Sequence, residues 1–103
     1  MINNKVGGLL GLATKAGKIT AGYDATAECI ENMKVKLVIV SVDASEKTRN
    51  NMKFLCSKKN VAYIEYGEIE FLSNAIGKRN KAIIGVKDNN FALAIKKILM
   101  EGI

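Results

Sequence analysis

Val35-Lys36-Leu37-Val38-Ile39-Val40-Ser41-Val42 is the stretch that decides the fold. It is rich in β-branched residues and nearly all apolar in its second half, the pattern of a central strand buried on both faces rather than of a strand with one wet side. Asp43-Ala44-Ser45-Glu46 follows at once and offers an N-cap, from Asp43 with Glu46 three residues on or from Ser45 itself. That cap opens a helix reaching to about Lys59, with Met52, Leu55 and Cys56 as its core stripe and Lys47, Arg49, Lys53, Lys58 and Lys59 facing water.

Working outward, strands and helices alternate with no linker between them. Val61–Tyr66 reads as the next strand and Glu68–Ile76 as a short helix with Ile69, Leu72 and Ala75 inside. Gly77-Lys78-Arg79-Asn80-Lys81 forms a turn before a second buried strand, Ala82–Val86. Asp88-Asn89-Asn90 caps a last helix, Phe91–Met100. Upstream, Val6, Leu9, Leu10 and Ala13 recur at helical spacing in Asn4–Ala16, where Asn3 or Asn4 caps and Gly17 stops. Gly7, Gly8 and Gly11 weaken that helix by about 1 kcal/mol each relative to Ala, which close packing against a neighbour would explain. Ile19–Ala21 is a short strand and Tyr23–Met33 a second helix with Ala27, Cys29 and Ile30 inward. The expected architecture is α/β: a three-layer α/β/α sandwich around a mixed sheet of about four strands, one domain over residues 1–103.

Composition sets the chemistry that is available. With 103 residues, 49% of them hydrophobic, the chain suits one core. It carries neither an apolar run long enough to cross a bilayer nor the pattern of a signal peptide, so a soluble cytoplasmic protein without a membrane partner is expected. There is no histidine, which removes imidazole catalysis, and the two cysteines, Cys29 and Cys56, lie among apolar neighbours without partners for a metal site. No metal and no cofactor is expected, and the cysteines read as buried free thiols. Ser41 and Ser45 stand at the end of a strand, where α/β proteins often bind ligands, but no base accompanies them, so capping is the expectation and an enzyme is not.

Sixteen Lys and Arg against ten Asp and Glu give a net charge of +6. The charge is patchy. Acids concentrate in Asp24–Glu31 and Glu65–Glu70, whereas Lys78, Arg79 and Lys81 cluster without an intervening acid. Lys15–Glu28 runs from the end of one helix through a short strand into the start of the next, leaving helix-start amides beside Lys15 and Lys18, a ready anion site. Asp24 and Glu28 on the same helix oppose a phosphate.

The order of elements, together with Gly17-Lys18, Gly22, Lys34–Val40, Asp43-Ala44-Ser45, Leu55-Cys56, Val61-Ala62-Tyr63 and Ala75-Ile76-Gly77-Lys78, resembles the kink-turn RNA-binding ribosomal protein superfamily. Leu10-Gly11-Leu12-Ala13 and Asp43-Ala44-Ser45-Glu46-Lys47-Thr48 point to its bacterial YlxQ-type branch, and the resemblance covers residues 5–100. The resemblance implies a non-catalytic protein that binds structured RNA, kinked or internal-loop, with ribosomal RNA and a translation-associated role in view.

In the family, an Asn and a Glu following a glycine reach the sheared G·A pairs of a kinked RNA, and a Lys further on approaches phosphate. Here those positions hold Gly22, then Asp24, Ala25 and Glu28, so only the glycine is kept. Asp24 loses the amide donor, Ala25 loses hydrogen bonding and Glu28 reverses the charge. Good base-edge pairs are worth roughly 1–3 kcal/mol each in DNA complexes, so on a similar scale kink-turn reading is expected to be much weakened. The resemblance places the second half of the surface at Ile76-Gly77-Lys78-Arg79-Asn80-Lys81, with Lys78, Arg79 and Lys81 on phosphates and Ile76 against an extruded base. Tyr23 is placed to stack on a base, with Thr20, Lys18 and Lys15 alongside. The alternative reading is a protein-interaction adaptor on the same scaffold, with Asp24, Glu28 and Glu31 meeting a basic protein partner.

Overall fold

The computed structural model describes residues 4–101. The elements alternate as α1 (Asn4–Lys15), β1 (Ile19–Ala21), α2 (Tyr23–Glu31), β2 (Leu37–Val40), α3 (Glu46–Lys59), β3 (Ala62–Glu65), α4 (Ile69–Ala75), β4 (Ile83–Val86) and α5 (Asn89–Glu101). Strand order across the sheet is β1-β4-β2-β3. β4 is antiparallel to both of its neighbours and β2 is parallel to β3, so the sheet is mixed. The last strand in the chain therefore sits inside the sheet, between the first two.

Side-chain alternation along the two central strands divides the core. Leu37, Ile39, Ile84 and Val86 point to one face, where they meet Val6 and Leu10 of α1, Leu72 of α4, and Ala92 and Ile95 of α5. Val38, Val40 and Ile83 point to the other, against Ile30 of α2 and Met52 and Cys56 of α3. Two helical layers enclose one sheet, and the three-layer sandwich expected from the sequence is present. Each large side chain fully buried there contributes about 1.5–3 kcal/mol before chain entropy is set against it.

Four helices stop in the same way. After α1, Lys18 N–H reaches Ala13 O at 2.9 Å and Gly17 N–H reaches Thr14 O at 3.0 Å, with Gly17 at φ +72°. These two bonds define the Schellman ending, whose turning residue sits in the left-handed region. Met33 (φ 60°), Asn60 (φ 59°) and Gly77 (φ 69°) turn the chain after α2, α3 and α4 with the same pair of bonds. Gly17 thus supplies the expected stop, whereas Met33 does a glycine's work with a β-carbon in place.

Caps divide between the two alternatives read at the end of β2. Ser45 caps α3, its Oγ accepting from Thr48 N–H at 3.1 Å. Asp43 instead accepts the N–H of Ile69 at 3.0 Å and so caps α4, 26 residues away. Asp88 accepts from Phe91 N–H at 2.9 Å and caps α5 as expected. Asn3, one of the two expected caps of α1, lies outside the described residues.

Two other readings change. The 35–42 stretch pairs as a strand only over Leu37–Val40, and Val42 is exposed. Its apolar run continues past the sheet because Val35 is buried against α2 and α3 beyond the ladder's end. The helix-one glycines are also not forced by packing: a β-carbon at Gly7 or Gly11 would make ordinary contacts at 3.5 Å to Phe71 and to Ala75 O, and at Gly8 it would meet nothing within 4 Å. The glycine that packing does require is Gly85 in β4. A β-carbon there would stand 2.6 Å from Thr20 Cγ2 and 3.1 Å from Thr26 Cγ2.

Candidate nucleic-acid interface

β1 and β2 both run antiparallel to β4, so their carboxyl ends lie at the same edge of the molecule as the start of β4. α2 begins there, and so does the turn that leads from α4 into β4. Gly22 N–H donates to Ile83 O at 2.9 Å, which ties the α2 start to β4. Gly22 itself stands at φ 92°, a conformation glycine adopts without strain, and as N-cap it brings no side chain to the first amides of α2.

The 76–81 turn is held rigidly against this helix start. Ser73, nearly buried on α4, accepts the N–H of Lys81 at 2.9 Å and donates to Lys81 O at 3.3 Å. The Lys81 ammonium consequently lies 3.7 Å from the position a Gly22 β-carbon would occupy. Helix amides without a side-chain cap and an ammonium converge on one spot, which is favourable for an anion.

Beside that spot is a hollow of about 440 Å³ lined by Thr14, Ile19, Thr20, Ala21, Ile76, Lys78 and Lys81. A second hollow of about 500 Å³ opens on the other side of the turn, where Lys78, Arg79 and Asn80 face Asp43, Glu70 and Asn74. Lys78 stands on the ridge between the two. Of the residues expected from the sequence, Thr20, Ile76, Lys78 and Lys81 meet in the first hollow and Gly22 meets Lys81. Arg79 faces the second hollow, while Lys15, Lys18, Tyr23, Asp24 and Gly77 lie exposed outside both linings.

Ile76 takes a different place from the one expected of it. It is only 4% exposed and belongs to the core cluster of Leu10, Leu72 and Ile84, because as the C-cap of α4 it continues that helix's apolar face. It forms the hollow's floor and does not project toward a ligand. Thr14, Ile19 and Ala21 also line this hollow, and nothing in a sequence marks the residues that a turn about 60 positions later will touch. Ser73 was equally silent, a small polar residue inside an apolar helix face.

On α2, Asp24, Glu28 and Glu31 are all exposed and spaced as one stripe. Asp24 lies in the first turn, where a carboxylate favours the helix dipole. Away from this edge, burial pushes the Cys56 thiol up to about 11, which leaves it a packing residue without nucleophilic character at neutral pH. Among the described residues no three acidic or thiol groups converge as a metal would need, and no helix is long and apolar enough to cross a membrane.

Residues 4–95 match the ribosomal protein L7Ae/L30e/S12e/Gadd45 family. The chain belongs to that family. Within it the sequence is 37% identical over 91 residues to the RNA-binding protein YlxQ of Enterococcus faecium, covering 88% of this chain and 87% of that one. It is 33% identical to the RNA-binding protein YlxQ of Bacillus subtilis (strain 168), covering 88% and 91%. These relatives bear out the resemblance to the YlxQ-type branch. A Bacillus halodurans C protein of unknown function superposes with a TM-score of 0.91 at 31% identity, over 95% of this chain and 99% of its own. The Giardia lamblia 15.5kD RNA binding protein gives 0.76 at 18% identity, over 98% and 87%, and shares the L7Ae-family fold.

Proposed function

We propose that this L7Ae-family protein binds structured RNA without catalysing a reaction, holding a kinked or internal-loop segment against the edge formed by Gly22, Thr20, Lys78, Arg79 and Lys81. The observation that carries the reading is the 3.7 Å approach of Lys81 to Gly22, which joins two basic or amide-rich signals 59 residues apart into one anion-binding surface. The names of the YlxQ relatives, both RNA-binding proteins, support the same class of ligand. Tyr23, 39% exposed at the start of α2, offers a ring for stacking, whereas Lys18 stands at the amino end of β1, its carbonyl accepting Lys87 N–H at 2.8 Å at the opposite end of the strand from Gly22. With Asp24, Ala25 and Glu28 in the signature positions, recognition rests on backbone and shape more than on base edges. A cytoplasmic, translation-associated role with ribosomal RNA as ligand accords with the family's ribosomal members.

Titration against a kink-turn RNA, a straight duplex of equal length and an unrelated hairpin, at two salt concentrations, tests this. A preference for the kinked RNA that persists at the higher salt is the expected result. Equal binding to all three, governed by salt alone, would sink it. The exposed Asp24-Glu28-Glu31 stripe supports the second reading, an adaptor for a basic protein, which would show as tight binding to basic peptides and weak binding to every RNA.

A further inference from the structure

The outward side of α3 carries a second combination of groups suited to nucleic acid. Met52 and Cys56 bury the inner side of this helix, and Lys47, Asn51, Phe54 and Lys58 recur at intervals of four, three and four on the outer side. Phe54 is 70% exposed, well beyond Tyr23 at 39%. A phenyl ring left in water between lysines and amides contributes nothing to the core.

Of the other cations of α3, Lys59 is half-buried, and Arg49 and Lys53 are already engaged. Arg49 pairs with Glu65 at 3.6 Å and donates to Ala44 O, and the Lys53 ammonium lies 5.9 Å from the Tyr63 ring centre. Lys47 and Lys58 make no ion pair among the described residues, and the single carboxylate on the helix is Glu46 in its first turn. Lys47 and Lys58 are about 16 Å apart along the axis, at 1.5 Å per residue, enough to follow a few nucleotides of extended strand.

Topology links this face to the edge already described. α2 and α3 pack on the same side of the sheet, and because β1 and β2 run in the same direction both helices start at the same edge. Lys47 therefore lies at the end of the molecule that holds Gly22 and Lys81, and Lys58 at the far end. We infer that the outer face of α3 is a track for single-stranded RNA continuing from the segment held at that edge, with Phe54 stacking on a base and Lys47 and Lys58 on phosphates. The inference rests on the RNA reading above. An aromatic ring with flanking amides and cations suits bases and phosphates, whereas a protein partner would be better met by the aliphatic side chains that α3 lacks on this face.

The test measures affinity for a kink-turn hairpin, the same hairpin with a single-stranded uridine tail on either end, and the free uridine oligomer. Wild type is compared with Phe54→Ala, with Lys47→Ala/Lys58→Ala, and with Lys78→Ala/Arg79→Ala/Lys81→Ala. The tail should raise wild-type affinity about 5- to 100-fold, the worth of one stacked base, and Phe54→Ala should lose most of that gain while binding the bare hairpin normally. A tail that adds nothing, or a gain that survives both α3 variants, overturns the inference and leaves the edge site standing. A bare hairpin bound equally well by wild type and by Lys78→Ala/Arg79→Ala/Lys81→Ala, with Phe54-dependent oligomer binding retained, would overturn the edge site instead. A wild-type protein that sediments as a dimer without RNA, returned to monomer by Phe54→Ala, would assign the face to a second copy and overturn the track.

Discussion

The two halves of the edge proposed to face RNA solve opposite parts of the same problem. The start of α2 is placed by the fold with little freedom, through the positive φ of Gly22 and its bond to Ile83, yet its side chains are acidic at Asp24 and Glu28 and blank at Ala25. The 76–81 turn carries the matching chemistry in Lys78, Arg79 and Lys81, and it is held by the backbone bonds of Gly77 and Lys78 at one end and by the Ser73 hydroxyl at the other. The geometry of a binding surface and its chemistry are thus separable. A scaffold can keep the first while the second drifts in one half only.

The largest expected effect comes from breaking what lies under both halves. Gly85→Ala forces a β-carbon against Thr20 and Thr26, one on β1 and one on α2, and should cost about 1–3 kcal/mol of stability by overpacking, together with RNA affinity. Urea unfolding measures the first, and a Thr20→Ser change in the same chain should restore part of it by removing the methyl group that is struck. Next is the chemical half alone. Replacing Lys78, Arg79 and Lys81 with Ala should leave circular dichroism and melting nearly unchanged and flatten the salt dependence of RNA binding by roughly two to three units, at about 0.7–0.9 per phosphate contact. An unchanged slope in that folded variant would move the adaptor reading ahead.

Supplying the α2 half with the chemistry it lacks is the third comparison. Asp24→Asn, Ala25→Glu and Glu28→Lys together should raise affinity for kink-turn RNA by about tenfold or more through base-edge contacts, and leave straight duplex behind. A parallel rise for both RNAs would show added charge and nothing else. The smallest effect is expected from Ser73→Ala, which unpins the turn without touching its charges. It should cost about 1–2 kcal/mol in stability, as Lys81 N–H loses its acceptor, and lower RNA affinity a few-fold with the salt slope intact.

What could be read in the chain beforehand follows from how local each signal is. Strand and helix alternation and the stop at Gly17 are written in neighbouring residues and came out as read, while the strand read over 35–42 is shorter, Leu37–Val40. Asp43 was a sound cap with the wrong helix, because a carboxylate at a loop can serve any amide that tertiary structure brings to it, and Ile69 is 26 positions on. Met33 in a left-handed turn and Gly85 against two threonines carry no local mark at all. The basic turn was legible as charge. Its meeting with Gly22 was not, since only the β1 and β4 pairing creates it, and Ile76 seemed free only while the floor of the hollow was unknown.

The position of β4 also orders events in time. During synthesis, β1 and the start of α2 emerge early with no strand to pair with, because the partner that fixes them is residues 83–86. Closing so long a loop is slow and entropically unfavourable, and it comes near the end of the chain. Residues 1–77 include every strand but β4 and so lack the pairing that joins Gly22 to the 76–81 turn. The edge proposed to bind RNA is completed in the same step that closes the sheet, so its shape, unlike its charge, exists only in the finished fold.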